Sequence, residues 1–131
     1  MIIQPTSRTC GQAVVAMVTG ATVDEVISLI GDARTHARDL RKAMHCLGWT
    51  MAARHCAKLP DRPTFPAIVW AERIKQHRMM RHWLYWDGGL FIDPANGAPC
   101  ELGEDTAGRF YLVHQTAAPP RLATHSGTCK D

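Results

Sequence analysis

The chain reads as a single α+β domain in which N-terminal helices pack on a C-terminal antiparallel sheet. Three observations predict this. Apolar residues recur with helical period, between cap and stop signals, only up to about residue 48. Short aromatic and β-branched runs follow Pro66. Asp87-Gly88 stands between two of those runs as a tight-turn signal, which makes their pairing antiparallel. A chain of 131 residues suffices for one domain burying about two thirds of its unfolded surface, and is too short for two. Residues 1–116 are assigned to that domain. Residues 117–131, carrying Pro, Ser and Thr without periodicity, read as a mobile or strap-like tail.

The helices come first. In "QPTSRTCGQAVVAM", Thr9 followed by Gln12 has capping-box spacing, so Thr9 is the expected N-cap and Cys10 the first helical residue. Ala13, Val14, Met17 and Val18 are its buried stripe, and Gly20 ends it. Thr22 with Glu25 repeats the box ahead of "VDEVISLI", which closes at Gly31. Thr35 is the expected cap of the third helix, where Leu40, Ala43, Met44 and Leu47 form the apolar face and Gly48 the stop.

Strands are expected at "TMAARHC" (weak), "AIVWA", "HWLYW", "LFID" and "RFYLVH". The basic stretch "RIKQHRMMRH", with Arg73, Lys75, Arg78 and Arg81, reads as a solvated loop or strand edge; a net charge of +3 does not announce a nucleic-acid binder. In "RHWLYWDGGLFIDPANG" a two-residue loop of Asp87 and Gly88 sets Trp86 opposite Gly89 and, four steps on, His82 opposite Asp93. Directly opposed side chains lie about 5 Å apart at Cβ, close enough for an imidazole and a carboxylate to bond. If Gly89 joins the loop, the register slips by one and the two lose their common face.

Several classes drop out. No apolar run approaches the roughly 20 residues a membrane span needs, and the N-terminus has neither the basic nor the apolar region of a secretory signal, so the expected location is the cytoplasm. Five scattered cysteines, an odd number, argue against a disulfide framework and for free thiols in a reducing compartment. His45-Cys46 and His55-Cys56 offer soft ligands, but their spacing matches no zinc signature, and no metal or cofactor is expected.

What remains is thiol chemistry. A thiolate is the nucleophile, and an ordinary cysteine is only a few per cent thiolate at neutral pH, so its site must favour the anion. Cys10, opening a helix, enters a positive backbone potential. His82 is the candidate base and acid, Asp93 its orienting partner. Gln4, neutral and so unable to quench a thiolate as a cation would, is the candidate side-chain donor to a developing oxyanion.

Two motif blocks carry a resemblance. Gln4, five intervening residues and Cys10-Gly11, then His82-Trp83 opening a hairpin that Asp93-Pro94 closes before Gly97, resemble the peptidase C39 family of papain-like cysteine peptidases. Its members commonly precede an exporting transporter and cut leader peptides after a double glycine; the present chain is read as a free-standing relative. The resemblance implies a papain-like fold over the chain to about Phe110, with Cys10 as nucleophile, His82 as base, Asp93 as its orienter and Gln4 in the oxyanion hole. Gly11, Trp83 and Trp86 are assigned to the substrate-binding walls. The implied activity is hydrolysis of an amide or thioester in a peptide or protein. The competing expectation is a catalytically silent papain-like module that grips a peptide or partner protein.

Overall fold

The computed structural model describes residues 2–56, 66–75, 78–102 and 106–116; the expected tail over 117–131 lies outside them. Three helices, α1 (Cys10–Thr19), α2 (Val23–Ile30) and α3 (Ala37–Cys46), precede six strands: β1 (Trp49–Met51), β2 (Ala67–Lys75), β3 (Arg78–Trp86), β4 (Phe91–Asp93), β5 (Ala98–Cys100) and β6 (Thr106–Gln115). They form one sheet in the order β1-β6-β2-β3-β4-β5, with every pairing antiparallel. The α+β reading with helices first therefore holds. The weak strand at 50–56 is shorter than expected, being β1 plus an isolated bridge from Cys56 to Phe110. Of the two readings of the basic stretch, loop or strand edge, the strand holds: Arg73–Lys75 and Arg78–His82 are opposing arms of the β2–β3 ladder, paired from Ala71↔His82 to Lys75↔Arg78, and β4 pairs with β3 only at Tyr85 and Trp86. Main-chain pairing with the neighbouring strand holds these polar residues in the sheet.

Helix caps divide into local and non-local cases. At α2 the capping box forms as expected, Glu25 N–H donating to Thr22 Oγ1 (3.1 Å) and Thr22 N–H to Glu25 Oε1 (3.3 Å). At α1 it does not. Thr9 precedes the helix but its hydroxyl donates to Thr6 O (3.0 Å) instead of capping. Gln12 is fully buried, and its Nε2 donates to Gly31 O (2.8 Å) and Ala33 O (2.9 Å), fastening the α2–α3 connection to α1. At α3 the cap is His36, whose N–H donates to Asp39 Oδ2 (2.8 Å), and not Thr35. Gly20 stops α1 in the left-handed conformation (φ 81°), its N–H bonding Ala16 O.

Alternation along the strands divides the core between the two faces of the sheet. Ile68, Trp83, Tyr111 and Val113 meet Val14, Val15, Val26, Leu40 and Met44 of the helices. Ala67, Val69, Leu84, Trp86 and Phe110 form a second cluster, with Phe91 packed against it. Complete burial of a Val, Leu, Ile or Met side chain contributes about 1.5–3 kcal/mol before conformational entropy is counted. Among the described residues no single helix is long and apolar enough to cross a membrane. Cys10, Cys56 and Cys100 are free, but Cys46 is disulfide-bonded, contrary to the expectation of free thiols. An odd count excludes complete pairing, not one bridge, so cysteine usage gives less support to a reducing compartment than it first did.

At Gly11 helix α1 packs against Thr35, Leu40 of α3 and Trp83 of β3 with no room for a side chain. A methyl group there would collide with Thr35 Oγ1 and stand 2.9 Å from Leu40 Cδ2 and 3.2 Å from Trp83 Cδ1. Gly11→Ala gains up to about 1 kcal/mol of helix propensity, whereas overpacking costs about 1–3 kcal/mol. The second effect is expected to win. Urea unfolding should show a lowered midpoint at unchanged slope; a raised midpoint would mean that Thr35 yields freely.

Candidate active site

The β3–β4 hairpin turns differently from the two-residue expectation. Its loop spans residues 87–90, with Gly88 at φ 104°. Asp87 organises it: Oδ1 accepts from Gly89 N–H (2.8 Å) and Leu90 N–H (2.7 Å), and Asp87 N–H donates to Leu90 O (3.1 Å). An aspartate side chain that captures main-chain donors stabilises a wider turn than the bare dipeptide implies. The ladder then pairs Trp86↔Phe91 and Tyr85↔Ile92, and one further step would set Asp93 level with Leu84 instead of His82. This slip is two residues, so the alternation of faces is kept. His82 and Asp93 are diagonal neighbours, within reach of a long side chain. His82 Nε2 and Asp93 Oδ1 are 2.8 Å apart, with side chains 29% and 30% exposed.

The end of β4 is braced from two sides. Asp93 Oδ1 also accepts from Ala95 N–H (2.9 Å), and Asp93 O accepts from Gly97 N–H (2.7 Å), with Gly97 left-handed at φ 68°. Gln4 N–H donates to the carbonyl of buried Pro94 (2.8 Å), which ties the N-terminal segment to this turn. That segment runs on through the Thr6–Thr9 hydrogen bonds to Cys10 at the start of α1.

Cys10 is half-buried and stands close enough to His82 for the imidazole to act on its thiol. Burial pushes its thiol up, but the bond to His82, the Trp83 main-chain N–H, the His82 charge and the Gly11 N–H together outweigh it. The thiol lies below its ordinary value. His82 moves the other way: burial pulls it down, yet hydrogen bonds to Cys10 and Asp93 and the charges of both raise it above the usual imidazole range. Each partner favours the other's ionised form. Since Nε2 faces Asp93, Nδ1 is the ring nitrogen left for Cys10.

Cys10, Gly11, His82, Trp83 and Asp93 are thus brought into one neighbourhood. Gly11 is buried, and its contribution is a site with no room for a side chain and a main-chain donor. Gln4 enters through Pro94, but its Nε2 donates to Thr6 O (2.7 Å) and its Oε1 is buried without a partner. Trp86, expected on a substrate wall, lies in the cluster on the far face, 4.7 Å from Phe91 between ring centroids. It stands an odd number of residues from Trp83, so one strand cannot present both to one cleft.

An open cleft of about 870 Å³ adjoins Cys10. Besides Trp83 it is lined by residues that sequence reasoning did not single out for the site, among them Arg34, Thr35, Trp70, Arg109 and Tyr111. The Trp and Tyr were legible as strand residues; nothing local marks the arginines. Among the described residues no group of three or more His, Cys, Asp or Glu gathers as a metal site. Compared with known proteins, the chain matches no family model, no curated protein and no solved structure at significant similarity.

Proposed function

We propose that this chain is a papain-like cysteine hydrolase of the C39 type, acting on an amide or thioester carbonyl of a peptide or protein. The observation that carries the reading is His82 Nε2 held 2.8 Å from Asp93 Oδ1 beside Cys10 at the start of α1, an arrangement that lowers the thiol and raises the imidazole. Cys10 Sγ attacks the carbonyl carbon and forms a tetrahedral adduct. His82 Nδ1–H then protonates the leaving amine or thiol as the carbonyl re-forms, leaving an acyl-enzyme. Water, deprotonated by the now neutral His82, attacks that thioester, and expulsion of the Cys10 thiolate regenerates the ion pair. Free N–H groups at the start of α1 are the main-chain donors for the oxyanion. In this reading Gln4 adds its second N–H.

The test is alkylation with iodoacetamide at mildly acidic pH, read by mass spectrometry. Cys10 should react first, because its thiol is lowered whereas burial and the neighbouring Asp93 raise that of Cys100. Equal labelling of Cys10, Cys56 and Cys100 would count against the proposal. Turnover should rise with pH through the lowered thiol value, hold while thiolate and imidazolium coexist, and fall as pH passes the raised His82 value. The bond from Gln4 Nε2 to Thr6 O favours a second reading, a silent module that only grips its partner. A biological effect that survives Cys10→Ala would select it.

A further inference from the structure

The cleft beside Cys10 is lopsided in charge. Arg8, Arg34, Arg81 and Arg109 line it, and Glu72 is the one carboxylate among its described lining residues. Glu72 is already engaged, accepting from Trp70 Nε1 (2.9 Å) and standing 3.8 Å from Arg81 Nε. Arg8, Arg34 and Arg109 make no ion pair with any described residue. These arginines come from four separate pieces of chain: the N-terminal segment, the α2–α3 connection, β3 and β6. Such convergence is not a charged run on one solvated face. Arg34 is held there by Gln12, whose amide clamps the connection at Gly31 and Ala33. Beneath them lies an aromatic floor, with Trp70 and Trp83 4.8 Å apart and Trp83 and Tyr111 6.1 Å apart between ring centroids.

We propose that this cleft is a substrate subsite for an acidic peptide segment. Aspartate or glutamate side chains flanking the reactive carbonyl meet the arginines, and apolar parts lie on the aromatic floor. Arginine is the cation suited to this, since its planar fork bonds a carboxylate through two donors. A nucleic acid would answer the charge equally, but the cleft opens on a nucleophile that needs an acyl carbonyl, which a phosphodiester backbone lacks. The inference rests on the hydrolase reading for the orientation of the peptide, not for its charge.

Three chloromethyl-ketone peptides of equal length, identical but for flanking Glu, Gln or Lys, are the probes. At low ionic strength the Glu peptide should alkylate Cys10 about tenfold or more faster than the Lys peptide. The gap should shrink as salt rises, and Arg34→Gln combined with Arg109→Gln should narrow it severalfold. Equal rates for all three, with Cys10 still singled out by iodoacetamide, overturn the charge inference and leave the hydrolase reading standing. Should iodoacetamide label the thiols indiscriminately, the hydrolase reading falls and anisotropy on Cys10→Ala protein decides the subsite. Binding of the Glu peptide over the Lys peptide supports it there, whereas tighter binding of a single-stranded oligonucleotide of equal charge overturns the peptide assignment.

Discussion

His82→Ala is expected to lower turnover of a peptide substrate by about 10⁴-fold or more, since nucleophile activation and leaving-group protonation vanish together. It should also move the midpoint of Cys10 alkylation upward. Two of the effects that lower the thiol, the hydrogen bond and the charge, come from His82, while the burial that raises it remains. The Trp83 and Gly11 N–H groups persist, so the thiol keeps part of its depression. Alkylation rates over a pH series measure this directly. A midpoint unmoved by the substitution would show that His82 does not govern the sulfur.

Asp93→Ala should cost about 10²-fold or more, the scale of a misplaced reacting group, with an added loss of stability because Asp93 Oδ1 also holds Ala95 N–H. Asp93→Asn discriminates between mechanisms. In a thiolate–imidazolium pair both ring nitrogens carry protons, so Nε2 needs only an acceptor, and an amide oxygen supplies one. A neutral imidazole would instead risk the wrong tautomer. Most activity should therefore return in Asp93→Asn. The alkaline limb should shift to lower pH, since the charge of Asp93 is one of the effects that raise His82. Asn as damaging as Ala at every pH would refute a resting ion pair.

Legibility in the sequence followed the range of the interactions. Thr22 and Glu25 satisfy one another within a single turn, and their spacing said so. Thr9 and Gln12 have the same spacing, but Gln12 answers to carbonyls 19 and 21 residues away, which no local pattern encodes. The helical stripes were readable because burial repeats with the helix period, whereas β5 was missed because Ala98–Cys100 is too short to show alternation. At the site, His82 and Asp93 share one hairpin, and counting from a dipeptide turn put them on one face, though directly opposed and not, as found, diagonal. Cys10 lies on a different element, and its approach to His82 was expected from chemistry and resemblance, not from spacing. The cleft arginines, drawn from four segments, left no signal at all.

The hairpin loop has a consequence for how this protein tolerates length variation. A pleated strand presents its side chains with a repeat of two, and the turn held by Asp87 differs from a dipeptide turn by that repeat. Where the turn keeps its length and the ladder re-registers, insertions or deletions at the tip therefore act as a parity filter. An even change leaves the imidazole and the carboxylate on the same side of the ribbon; an odd one sends them to opposite sides, however conservative the residues involved.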